Sequence, residues 1–528
     1  LVRVDNKTSI FLGYEFNSTI PLVNLTDVVI SPTQTMLVAE AGPMQINLTF
    51  LNPIEPKDWV KQSIPLSYMS LTAKSLDGAA HSVQVYSDLS VVWVSGEPSQ
   101  EIYWMGIGNE DTFAGIGHLV KRQNPTLLAD VLNFDTEWGT LYHIMEKGDN
   151  ITWKHANDSV SRNLFLQNGV LDVTGLGGLD LLNPNSTVFA MSRDLGTIQA
   201  TQDPIVWVVG YTTGPVINYT DQSGTPSQRR SSYYKIQYSD DPSLMADFVN
   251  DFVNASSRAQ QLDRNILQDA ALISGRLGDL VSFATTHVYG STQLTVATDS
   301  SGEFNKSDVM AFMMGLNGRV NPVETLYSAF PAFMYIDPDL GGLLLEPLFR
   351  LQASPKYTNL YAAQDLGTDF PDVSVSTSPH NQGVEESGNM LIMTYAHARA
   401  SGNSSLISRY YDLLTSWADY LSDTTLLIHD QYSAEGRSND NQTNLAIKGI
   451  IAIKAMSQMS SFVDKTTDFD KYSNTSSHLY AQWKSLALAG DEHLLGIYGN
   501  TSSWTSGYNL FADAWLNTSV VESSVGVC

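Results

Sequence analysis

The chain has 528 residues, 43% hydrophobic and 16% charged. That is an ordinary globular composition, too long for one core, and two or three domains are expected. With 29 basic against 55 acidic residues the net charge is −26, a field that repels phosphate backbones and argues against nucleic-acid partners.

No apolar run approaches the roughly 18 residues of a membrane-spanning helix, so no membrane partner is expected. The N-terminal LVRVDNKTSIFLGYEF lacks the charged-then-apolar layout of a signal peptide, so in an exported protein the signal has been removed. Export is the expectation, because N-x-[ST] sequons occur fifteen times. They stand at Asn6, Asn17, Asn24, Asn47, Asn150, Asn157, Asn185, Asn218, Asn254, Asn305, Asn403, Asn441, Asn474, Asn500 and Asn517, and make N-linked glycans the expected modification in an extracellular or cell-wall setting. The only cysteine is the last residue, Cys528, which rules out an internal disulfide.

In chain order, residues 1–240 read as strands. DVVISPTQTMLVAEA, MQINLTFLNP, SVQVYSDLSVVWVSG, TLYHIMEK, NITWKHA, STVFAMS and PIVWVVGYT are short β-branched and aromatic runs punctuated by Gly, Pro, Asn and Asp. Strands at that spacing without intervening helices predict an antiparallel β-sandwich domain. The polar NYTDQSGTPSQRRSS (218–232) is expected as an exposed loop.

After Asp241 the apolar period becomes helical, giving a second, all-α domain over 241–528. Helices are expected in 241–290 and over 306–317, 322–335, 339–352, 385–401, 404–421, 442–463, 474–490 and 503–516. No fixed repeat shows, which argues against a regular solenoid and leaves a ring of hairpins.

Motifs for phosphate loops, zincins and α/β-hydrolases are missing from the sequence. One S-x-x-K, Ser232–Lys235, lies in the β-rich SSYYKIQY; in a strand, residues three apart face opposite ways, so no Ser–Lys pair is expected. The histidines are scattered without an i,i+4 pair and read as packing or surface residues. DSSGEFNKSD (299–308) contains a sequon and reads as a solvated turn. Neither a metal nor an organic cofactor is expected.

Acids remain. AQDLGTDFPD (363–372) places Asp365, Asp369 and Asp372 in one loop, and GVEESGNMLIM (383–393) sets Glu385 and Glu386 before an apolar run. On a helix these two differ by about 100°, so Glu386 shares a stripe with Asn389, Met390 and Met393 while Glu385 sits nearer the rim. Two readings stay open at this point. First-turn acids complement a helix dipole, or they line an active site.

LVRVDNKTSIF, FLNPIEPKDWVKQSIPLSYMSLTAKSLDG, VYSDLSVVWVSG, DLGT, VEESGNMLIM, NQTNLAIKGIIAI and YNLFAD resemble the fungal glutaminase A family over nearly the whole chain. The resemblance implies a β-sandwich-type region followed by an α/α toroid of helical hairpins, secretion, and hydrolysis of L-glutamine to glutamate and ammonia. It also implies further segments before LVRVDNKT and after YNLFAD, so an incomplete toroid is expected. An acid pair upstream of NQTNLA is implied too, where this chain has Ser433 and Ala434, with Glu435 the nearest acid.

With that resemblance, Glu386 is expected in a cleft as the general base, Asp365 as acid or substrate orienter, and Glu385 at the helix start. A glycoside hydrolase, whose chemistry also needs two carboxylates, and an inactive secreted structural glycoprotein remain alternatives. In the last case, apolar surface left by absent helices would seek a partner, a second copy included.

Overall fold

The strand Met44–Leu51 shows how the first half folds: from Met44 to Thr49 its side chains alternate between buried and half-buried, the two-residue period of a strand with one face in a core. The computed structural model describes residues 1–13, 19–94, 100–107, 115–128, 130–131, 135–173, 175, 177–181, 187–220, 227–299, 301–373, 377–488, 490, 493–522 and 525. Asn17, Asn185 and Cys528 lie outside them, as does the middle of the 218–232 loop, which strands Ile217–Tyr219 and Gln228–Ser232 flank.

The N-terminal strands form a nine-stranded and a five-stranded sheet with antiparallel pairing, as in Met44–Leu51 against Leu66–Ser75 and His81–Ser90 against Thr187–Ile198. Val2, Val4, Val83, Val85 and Met191 of the smaller sheet share one core with Met44, Ile46, Leu71 and Trp207 of the larger, which makes the expected sandwich. One helix interrupts it. Asp158–Asn168 begins where the Asn157 side chain accepts from Ser159 N and ends at Gly169 in the left-handed conformation, so local capping installs a helix inside a β-rich stretch.

The change from strand to helix falls where the period changes. Asp240 caps the helix Asp241–Asn250, its side chain accepting from Ser243 N. The chain's compact units divide elsewhere. One comprises Leu1–Ile217, Arg229–Gly290 and Ser300–Lys306, the other Asn218–Gln228, Ser291–Asp299 and Ser307–Cys528. The helices Asp241–Asn250 and Phe252–Ile273 stay with the sandwich because Leu244, Phe248, Phe252, Ala255 and Ala259 form one core with Tyr68, Tyr142, Val206 and Val208 of the nine-stranded sheet. The Tyr68 and Phe248 rings stack at 4.2 Å, and the Tyr68 hydroxyl donates to the Phe248 carbonyl at 2.6 Å.

In the same unit, Ser232 precedes a 3-10 turn, Tyr233–Ile236, instead of lying with Lys235 in one strand. Lys235 donates to Asp241 at 3.1 Å.

The second unit is built of helical hairpins. The expected helix over 306–317 is instead the strand Phe304–Met313, because four consecutive buried residues, Met310 to Met313, suit a strand covered on both faces as well as they suit a helix. Over 503–516 only a short 3-10 turn and Phe511–Leu516 are helical. Among the described residues no helix is long and apolar enough to cross a membrane.

Two helices of this unit, Gly383–Ser401 and Thr443–Phe462, are buried on nearly every side. A helix in that position has no solvent face to read from its sequence period. Any charge it carries must find a partner inside the protein.

Candidate active site

Gly383–Ser401 starts without a capping side chain from Gln382. Its Val384 N–H donates instead to Gln431 Oε1 at 3.1 Å. Glu385 and Glu386 occupy its first turn and both have no exposed surface. Glu385 is therefore not at a rim as the helical wheel suggested; the neighbouring helix covers it.

That helix supplies Lys448, 1% exposed. Its ammonium pairs with Glu385 Oε1, donates to Asn389 Oδ1 at 2.9 Å and lies 4.4 Å from the centroid of the Tyr327 ring. Asn389 Nδ2 then donates to Glu386 Oε2 at 3.0 Å. The helices approach closely enough for this only because residue 388 is glycine: a Cβ there would stand 2.9 Å from Lys448 Cγ.

The two adjacent acids thus meet different surroundings. Glu385 has a cation. Glu386 has none, and its carboxyl is pushed well above the usual range by burial first and by the charges of Glu324 and Glu385 next, which Asn389 and Lys448 only partly offset. Burial lowers the Lys448 ammonium, but Glu385, Tyr327 and Glu386 raise it by more, so it stays charged. Burial therefore favours the protonated form of Glu386.

Asp365 lies in the loop expected, and its carboxylate is engaged. Arg319 Nε donates to its Oδ2 at 2.7 Å and Gly367 N to its Oδ1 at 2.9 Å. The same Arg319 guanidinium pairs with Glu324, in the first turn of Val323–Ile336. Unlike the acids on Gly383–Ser401, the Glu324, Arg319 and Asp365 side chains are each partly exposed, at 18%, 28% and 17%. Beside them Gln364 Nε2 donates to Gln382, and His380, which burial keeps below its usual range, has its Nε2 3.0 Å from the Ala362 carbonyl. The site is layered: a solvent-reaching rim of Glu324, Arg319 and Asp365, and a sealed layer of Glu386, Asn389, Lys448 and Glu385.

Sequence reasoning did not single out Lys448, Arg319, Glu324 or Tyr327. Lys448 left a signal, a lone lysine in the apolar NLAIKGIIAI. The other three come from a hairpin far away in the chain and carry none. Among the described residues no three His, Cys, Asp or Glu side chains converge as a metal site.

Residues 275–527 match the glutaminase A six helical-hairpin domain, and residues 33–269 match a domain of unknown function, DUF5127. A glutaminase A of Aspergillus oryzae is 30% identical over 99% of this chain and 75% of its own length. The chain belongs to the glutaminase A family. A second relative, a probable glutaminase of Arthroderma benhamiae, is 26% identical over 96% of this chain and 65% of its own length, so this glutaminase A family chain spans about two thirds to three quarters of those two proteins. Among solved structures, a bacterial glucoamylase complexed with acarbose aligns over 94% of this chain and 64% of its own, at 10% identity and a TM-score of 0.43.

Proposed function

We propose that the acid cluster of the helical unit hydrolyses the side-chain amide of L-glutamine. The observation that carries this reading is the contrast between Asp365, held at the rim on Arg319, and Glu386, wholly buried in the layer beneath without a cation of its own, where burial favours its protonated form. Amide hydrolysis needs a group that takes a proton from water and another that gives one to the departing nitrogen. In this assignment Asp365 takes the water proton and the hydroxide adds to the amide carbonyl carbon. The Arg319 guanidinium faces the developing oxyanion. The C–N bond then breaks as the nitrogen receives the proton stored on Glu386, relayed by Glu324, and leaves as ammonia. Glu386 and Asp365 thereby exchange the roles that the sequence suggested for them.

The names of the two relatives support the substrate. Export with N-linked glycans belongs to the same reading: of the thirteen sequon asparagines described, ten are exposed and none is buried.

The test is ammonia release from L-glutamine by the purified chain, alongside Glu386→Gln and Asp365→Asn. Loss of activity in both variants with thermal midpoints unchanged supports the assignment. Sugar release from glycans in place of ammonia transfers the site to glycoside hydrolysis, and neither product leaves a non-enzymatic protein.

A further inference from the structure

A second groove opens in the helical unit, and none of Glu324, Asp365, Glu385 or Glu386 lines it. This groove encloses about 650 Å³, and Glu435, Arg437, Asn439, Asn444, Trp504 and Tyr508 are among its walls.

Both walls are fixed by backbone bonds. On one side a tight turn closes by Ser433 N to the Arg437 carbonyl at 3.0 Å and Gly436 N to the Ser433 carbonyl at 2.9 Å, with Gly436 at φ +72°. Gln442 Nε2 holds this turn from behind, donating to the carbonyls of Arg437 at 3.0 Å and Gln431 at 3.2 Å. On the other side Ser503 Oγ accepts from Gly496 N and Ile497 N, both at 3.1 Å, and Thr505 N donates to the Leu494 carbonyl at 3.3 Å. Such a groove is preorganised, and a ligand pays little to order it.

What the walls present is specific. Trp504 is 74% exposed and Tyr508 44%, large aromatic surfaces that a folded chain normally covers. Around them stand Arg437, whose guanidinium makes no hydrogen bond or ion pair among the described residues, the Glu435 carboxylate, the Asn439 amide and the hydroxyls of Ser502 and Ser506. Flat aromatic faces ringed by planar bidentate donors and acceptors match one class of molecule: a sugar ring, with a C–H face to lie on the aromatic and adjacent hydroxyls for the amide, guanidinium and carboxylate. The acidic net charge disfavours polyanions, and a purely apolar ligand would leave the Glu435, Arg437 and Asn439 side chains in the walls without partners. We infer that this groove binds a neutral oligosaccharide, independently of the amide chemistry proposed above.

The experiment is isothermal titration of the full 528-residue chain, its own N-glycans removed enzymatically because Asn500 sits in the groove wall's loop. The probes are short neutral glucan, mannan and chitin oligosaccharides, with a proline-rich and an acidic peptide as controls. Saturable binding of one sugar series at roughly millimolar affinity or tighter is expected. Trp504→Ala should weaken it about tenfold or more, and Trp504→Tyr far less. Arg437→Ser, on the exposed turn, should weaken it as well, and gives the answer should Trp504→Ala fail to fold. No sugar binding, sugar binding indifferent to Trp504→Ala and Arg437→Ser in folded protein, or binding of a peptide alone overturns the inference.

Discussion

Lys448 reaches from the middle of one buried helix to Glu385 in the first turn of another, and the pair has essentially no contact with solvent. Removing one partner leaves the other charged and sealed. Lys448→Met should therefore cost about 3–5 kcal/mol, and Glu385→Gln a comparable amount. The double variant should recover a large part of the loss, since a neutral pair of similar volume carries no orphan charge. Chemical denaturation of the three variants measures the coupling.

The acid role proposed for Glu386 makes a sharper demand on activity. Glu386→Gln preserves volume and the contact with Asn389 but holds no transferable proton, so kcat should fall about 100-fold or more with KM little changed. The thermal midpoint should stay near the parent's, because the amide keeps the volume and places no charge in the sealed layer. Full activity in the folded variant would leave the acid pair a purely structural device.

Gly388 sets the distance between these helices. Gly388→Ala drives a methyl to within 2.9 Å of Lys448 Cγ, and displacing that side chain loosens its hold on Glu385 and Asn389. The expected cost is about 1–3 kcal/mol despite alanine's better helix propensity. A stabilised Gly388→Ala variant would show that the lysine moves freely.

Acid should weaken the sandwich through three histidines. His118 and His143 face one another across adjacent strands, and His118 and His155 both pack on Phe189, at 4.9 and 4.6 Å between ring centroids. Burial pushes His143 down to about 4, against the opposing pull of Asp88. His118, both of whose ring nitrogens lack partners, is pushed well below its usual value by burial and by the other two histidines. His155 is lowered by burial against Asp180. Their native-state affinities for protons lie below those of the unfolded chain, so unfolding takes up protons and stability is lost as pH falls through about 6.5 toward 4. His143 alone accounts for about 3 kcal/mol across that window. Thermal midpoints between pH 7 and 4 should drop, and His143→Gln should flatten the curve.

How much of this was readable follows from where each signal lies. The acid pair stood out because two glutamates precede an apolar run, an unusual local sequence. Its surroundings did not, because a helix buried on all sides has no polar stripe, and the wheel argument that put Glu385 at the rim assumed one. Asp365 was found as one acid of a loop, but its partner Arg319 and the second acid on that arginine, Glu324, are joined only by folding. The strand at Phe304–Met313 was misread for a related reason. DVMAFMM has no period to distinguish a doubly covered strand from a buried helix.

Asp263 ties the long helix Phe252–Ile273 to the sandwich. Its carboxylate accepts from Ser31 Oγ, from Thr33 N at 3.0 Å and Thr33 Oγ1 at 2.9 Å, and from Gln34 Nε2 at 3.2 Å. Asp263→Ala strands a buried backbone N–H and should cost about 2–3 kcal/mol, measurable by urea denaturation.

The attachment of those helices to the sheet also decides where the gene can be cut. A recombinant fragment ending at residue 240, where strands give way to helices, would lay bare Tyr68, Tyr142, Val206 and Val208 and offer the sheet's outer surface to every neighbouring copy in the expression host. Inclusion bodies are the expected product. A fragment carried through Gly290 keeps its own cover, and that later cut is the one a crystallographer or an enzyme engineer should order.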